Sequence, residues 1–134
     1  EGRKEGREGT AGRMSAGLAA VDLSEPDFSG TLTKQSKWLK DWRRRYFVLK
    51  QHRLYFSKDE KSAPHGEIDL KDCLTVKSAE DKTNKKNSFE VATPQEVFFL
   101  YADSEKEKDD WIGAIGRAIV RFSSAYMPDD GYED

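Results

Sequence analysis

Lys34, Arg43 and Arg45 are spaced so that two neighbouring strands would aim them at one point. In the stretch leading into Tyr46-Phe47-Val48-Leu49, the residues Arg43, Arg45, Phe47 and Leu49 share a face. Gly30, Leu32 and Lys34 do the same one strand earlier, because side chains alternate along a strand. Leu32, Phe47 and Leu49 suit a core, so the cations continue these rows past it to a rim. Cations gathered at a rim repel one another and become favourable once a dense anion sits between them. A guanidinium grips phosphate with a planar fork and an ammonium acts as a movable point charge, so the mixture suits clustered phosphates. The connecting residues Ser36 to Asp41 add Lys37 and Lys40 beside Trp38 and Leu39. An aromatic and a leucine among cations are expected where a protein leans into a lipid interface.

Charge along the chain has the same polarity. The 134 residues carry a net charge of −2, yet positions 34 to 58 hold nine cations against the single anion Asp41, a local +8. The remainder therefore carries −10, which makes a positive pole on an acidic body. That balance argues against a general nucleic-acid binder, which carries an overall basic excess. One cysteine, Cys73, makes neither an internal disulfide nor a thiolate zinc cluster, and it reads as a small core residue. With only His52 and His65, no paired histidines and no glycine-rich phosphate loop, no catalytic constellation is present, and neither cofactor nor metal is expected. No run approaches the roughly 18 apolar residues that span a bilayer, so a cytoplasmic chain is expected, and a monomer is expected as well.

The elements that must position the cations follow from the pattern. Residues 1 to 27 are expected to be a disordered tail and linker. Charges and glycines crowd positions 1 to 13, and Ser24-Glu25-Pro26-Asp27 favours a turn. Residues 126 to 134 read as an acidic second tail, leaving 28 to 125 as the folded unit. Within it the texture is seven short strands: Gly30 to Gln35, Arg44 to Lys50, Leu54 to Phe56, Gly66 to Leu70, Leu74 to Val76, Phe89 to Val91 and Val97 to Tyr101. The polar stretch Glu80 to Asn87 reads as a loop. The period then changes to about 3.6, with Trp111, Ile112, Ile115, Ala118, Ile119 and Phe122 on one face and Ser104 with Glu107 as a capping box. Seven sequential strands and one amphipathic helix predict a mainly β fold, an antiparallel barrel or sandwich with the C-terminal helix plugging an open end.

These residues also resemble a known family. Gly30-Thr31-Leu32-Thr33-Lys34, then Trp42 and Arg43-Arg44-Arg45-Tyr46-Phe47-Val48-Leu49, resemble the opening hairpin of a pleckstrin-homology domain. Leu54 to Phe56, Gly66 to Leu70 and the segment around Trp111 resemble its third strand, fourth strand and terminal helix. Asp72 to Asp81 is similar to small plant proteins consisting mainly of one such domain. The family's phosphoinositide pattern is a strand-one Lys, then a basic residue, any residue and Arg before two hydrophobics; Lys34, Arg43 and Arg45 match it. Lys40 falls where strong binders place a basic loop residue, while Phe56 and His65 stand where tight 3-phosphoinositide binders often have Tyr and Arg. The resemblance implies a non-catalytic membrane-targeting module that binds phosphoinositide headgroups through Lys34, Lys40, Arg43, Arg45 and His65. Lys37, Trp38 and Leu39 would meet the anionic membrane surface. The alternative from another class is an adaptor whose positive pole docks an acidic protein partner, with the loop cations Lys82, Lys85 and Lys86 serving either reading.

Overall fold

A computed structural model describes residues 21 to 124. The expectations for residues 1 to 20 and for the whole acidic C-terminal tail, residues 126 to 134, lie outside these residues. Strands β1 (Phe28–Gln35), β2 (Trp42–Lys50), β3 (Arg53–Ser57), β4 (Gly66–Asp69), β5 (Thr75–Ser78), β6 (Ser88–Ala92) and β7 (Val97–Tyr101) form one sheet in the order β4-β3-β2-β1-β7-β6-β5. Every pairing is antiparallel. Two meanders, β1 to β4 and β5 to β7, are stitched by a short contact of β1 with β7 at Thr33 opposite Tyr101 and Lys34 opposite Leu100. Lys34 therefore sits on the seam of the sheet.

The alternation read from the sequence sets the inward face. Leu32, Phe47, Leu49, Leu54, Ile68, Phe89, Val91 and Leu100 fill the interior. Helix α2 (Glu105–Phe122) begins where Ser104 Oγ accepts the Glu107 N–H at 3.1 Å. That hydrogen bond satisfies one of the orphan donors of the first turn and is one half of the capping box expected at these two positions. The helix buries Trp111, Ala114, Ile115, Ala118 and Ile119 against the sheet. Trp111 is buried and stands edge-on to Phe28, ring centres 4.7 Å apart, and to Phe47 at 6.4 Å. Cys73 is fully buried, its Sγ donating to the Ala92 carbonyl at 3.2 Å.

Three local details differ from the alternation alone. The strand expected through Leu70 stops at Asp69, whose carboxylate accepts the Lys71 N–H and starts a 3-10 turn over Leu70–Asp72. Leu74 precedes β5 rather than joining it and is half exposed. The stretch Glu80 to Asn87 contains a one-turn helix, α1 (Glu80–Thr83), that ends at Asn84 with a left-handed φ of 58°. Glu80 also accepts from the Asn87 N–H and from Lys108 Nζ, so tertiary contacts order a segment with no apolar anchor of its own.

Candidate functional site: a cationic cleft beside the β1–β2 loop

The β1–β2 register places Lys34 opposite Arg43 and Leu32 opposite Arg45. The inward row on β1 thus passes from buried Leu32 to Lys34 at the rim, and the row on β2 passes from buried Phe47 to Arg45 and Arg43. The main chain of His65 donates to the Phe56 carbonyl at 3.0 Å, bringing the start of β4 to the same rim. Lys34, Ser36, Arg43, Arg45, Phe56 and His65 line a cleft of about 110 Å³. Four of the five headgroup residues expected from sequence therefore meet in one place.

Lys40, the fifth, does not line that cleft. It lines a larger neighbouring cleft of about 560 Å³, together with Lys37, Trp38, Glu96 and Phe98. Lys34, Ser36, Phe56 and His65 border both clefts. The β1–β2 loop is closed at its base, where Ser36 N–H donates to the Asp41 carbonyl at 2.7 Å and Asp41 N–H donates to Ser36 Oγ at 3.0 Å. Lys40 completes the turn with φ 61°. The tip projects outward, with Trp38 83% and Leu39 68% exposed. Lys37 Nζ lies 5.3 Å from the Trp38 ring centre and 3.6 Å from Glu96 Oε1.

The run Arg43-Arg44-Arg45 divides by face. Arg44 points away from the cleft and makes a two-pronged ion pair with Asp103, at 3.0 and 2.8 Å. Arg43 reaches Asp41 at 3.2 Å, an exposed pair that water and salt weaken. Arg45 donates to the Arg44 carbonyl at 2.8 Å. Among the described residues no carboxylate pairs with Lys34 or Arg45.

The local electrostatics agree with this geometry. Burial holds the Lys34 ammonium below its ordinary basicity; Glu96 opposes that effect, and Arg45 and Arg43 reinforce it. Burial, then the charges of Arg45 and Lys34, hold the His65 imidazole below its usual range. Arg45 is lowered by burial and by Arg43. A shared anion would relieve all three, since it favours each charged form.

Two walls of the site escape the alternation argument. Phe56 and Phe98 flank Lys34, their ring centres 5.1 and 5.6 Å from its Nζ, and Phe56 also meets the His65 ring edge-on at 5.3 Å. Phe98 shares the inward face of β7 with Leu100, a signal present in the sequence. Its meeting with Lys34 needs the β1–β7 seam, which local pattern does not disclose.

Comparison with known proteins places this architecture. A family model described as PH domain matches residues 26–120. The pleckstrin homology domain-containing protein 1 of Arabidopsis thaliana is 49% identical over 106 residues, covering 75% of this chain and 73% of that protein. Diacylglycerol kinase eta of Mesocricetus auratus is 41% identical over 86 residues, which are 64% of this chain and only 7% of that enzyme. The C-terminal PH domain of human pleckstrin is 33% identical with a TM-score of 0.62, covering 72% of this chain and 89% of the other. The same pleckstrin domain solved in complex with D-myo-Ins(1,2,3,4,5)P5 is 35% identical with a TM-score of 0.57, covering 68% of this chain and 95% of the other.

Proposed function

The chain belongs to the PH domain family, and from that premise we propose that it is a non-catalytic membrane-targeting module that binds phosphorylated inositol headgroups. One observation carries the reading: Lys34 and Arg45, neither with a carboxylate partner among the described residues, line a single cleft together with His65. Lys34 and Arg45 are the primary phosphate contacts. Arg43 joins once the anion outcompetes Asp41, and Lys40 meets the ring or a flanking lipid from the neighbouring larger cleft. The pleckstrin domain solved with an inositol pentakisphosphate supports a polyphosphorylated ring as the ligand class.

The loop supplies the second half of the mechanism. Each cation near an anionic leaflet contributes about 1 kcal/mol, so three or four of them give an attraction on the millimolar scale that the loop must reinforce. Trp38 and Leu39, projecting beside the cleft, enter the interfacial layer while the headgroup is held, which makes association peripheral and reversible. No helix among the described residues is long and apolar enough to cross a membrane.

Sedimentation with vesicles carrying each phosphoinositide in turn tests the reading. The native chain is expected to pellet with at least one, Arg45→Ala to lose most of that binding, and Arg44→Ala to keep it, because Arg44 is engaged with Asp103 on the other face. Equal binding by the native chain and Arg45→Ala would remove the cleft from the mechanism. A protein partner whose binding survives Arg45→Ala and resists soluble inositol phosphates would favour the adaptor.

A further inference from the structure

The larger cleft is crossed by an ion pair between elements far apart in the chain. Glu96 Oε1 lies 3.6 Å from Lys37 Nζ, joining the turn before β7 to the β1–β2 loop. Glu96 is held from behind by its own turn. Thr93 N–H and Thr93 Oγ1 donate to the Glu96 carbonyl at 2.9 and 3.0 Å, and Glu96 N–H donates to Thr93 Oγ1 at 3.2 Å. The carboxylate is thus delivered from a fixed base, whereas Lys37 sits on a projecting loop and has two partners, Glu96 and the Trp38 ring. Glu96 also lines the cleft that Lys34 and Lys40 share.

We infer that Glu96 is an affinity-determining positioning residue, an internal counter-anion that holds Lys37 in the free protein and must release it when an anionic membrane takes its place. This rests on the proposed headgroup reading and adds a threshold to it. Lys37 already has a carboxylate partner before the membrane arrives, and the Glu96 charge stays at the rim to repel phosphates. A sparsely charged bilayer offers too little to displace the carboxylate, whereas a densely charged one draws Lys37 across. An exposed pair contributes at most about 1 kcal/mol, so the device tunes affinity and does not lock the site. Val97, next to Glu96 and 43% exposed, borders the same cleft as Trp38, so releasing Lys37 frees the loop beside a second apolar contact.

The test is a double-variant cycle on phosphatidylcholine vesicles containing a bisphosphorylated phosphoinositide, read as partition coefficients for the native chain, Glu96→Gln, Lys37→Gln and the double variant, with Arg45→Ala as reference. Glu96→Gln is expected to bind about fivefold tighter when Lys37 is present and only about twofold tighter in the Lys37→Gln background. Equal gains in both backgrounds would mean that Glu96 merely repels the surface. No gain, or weaker binding, would mean that the pair orders the loop for binding; either result overturns the inference. Failure of the headgroup reading itself looks different: the native chain and Arg45→Ala would partition alike.

Discussion

Lys34 Nζ stands between two aromatic rings, 5.1 Å from the centre of Phe56 and 5.6 Å from that of Phe98. A half-buried ammonium placed so is attracted by both ring faces, and its four-carbon stem covers apolar surface while its head stays at the rim. The rings therefore fix the cation in the absence of a carboxylate, leaving its charge available to a ligand. The site is positioned by aromatic packing, and damage to that packing should reach binding.

Gly66 is the point where this packing is most exposed to change. A Cβ there would lie 2.2 Å from Phe56 Cζ, so Gly66→Ala must displace the ring that faces both Lys34 and His65. Overpacking of this kind costs about 1–3 kcal/mol. Thermal unfolding of the variant is expected to fall by about 4–8 °C per kcal/mol, with titration calorimetry showing weaker binding of a soluble inositol polyphosphate. An unchanged melting temperature would mean that Phe56 is free to move.

His65 makes binding and stability respond to pH in opposite directions. Its imidazole is held below the usual range by burial, then by Arg45 and Lys34, so it is neutral in the free folded protein near pH 7. The unfolded chain protonates its histidines near 6.5. Between that value and the lower folded one the unfolded state binds more protons, so this contribution to stability is present above about pH 6.5 and is lost as pH falls through the window. A bound phosphate reverses the preference and draws a proton onto the ring. Calorimetry at pH 6 in buffers of different ionisation heat is expected to show proton uptake on binding by the native chain and less by His65→Gln. Identical uptake by both would place His65 outside the contact.

Trp38 separates membrane contact from headgroup contact. Because the side chain is 83% exposed, Trp38→Ala is expected to leave stability within about 0.5 kcal/mol. Partition onto phosphoinositide vesicles should weaken about tenfold, the scale of burying one large apolar side chain. Affinity for a soluble inositol polyphosphate should stay the same. Equal losses in both assays would move Trp38 from the bilayer into the cleft.

Much of this arrangement was legible in residue order because it is set by short-range rules. Alternation on β1 and β2 put Lys34, Arg43 and Arg45 beyond Leu32 and Phe47, and Ser104 with Glu107 marked the start of α2. What stayed hidden depends on distant meetings. Phe98 reaches Lys34 only through the β1–β7 seam, and Glu96 reaches Lys37 only because two turns share a rim. Lys40 completes its loop with a positive φ, and strand alternation has nothing to say about such a residue. The α1 turn was unreadable for a related reason: Lys108 and the Asn87 N–H hold Glu80, not an apolar stripe. The division of Arg43, Arg44 and Arg45 between faces was implicit in the alternation, but Asp103 as the partner of Arg44 was not.

The most direct test of the cleft is a crystal of this chain soaked with D-myo-Ins(1,2,3,4,5)P5. The ring is expected at the rim formed by β1, β2 and His65, with phosphate oxygens within hydrogen-bond distance of Lys34 Nζ and the Arg45 guanidinium, and Arg43 drawn off Asp41. A well-ordered ring bound elsewhere, with Lys34 still resting between Phe56 and Phe98 and Arg45 untouched, would contradict it.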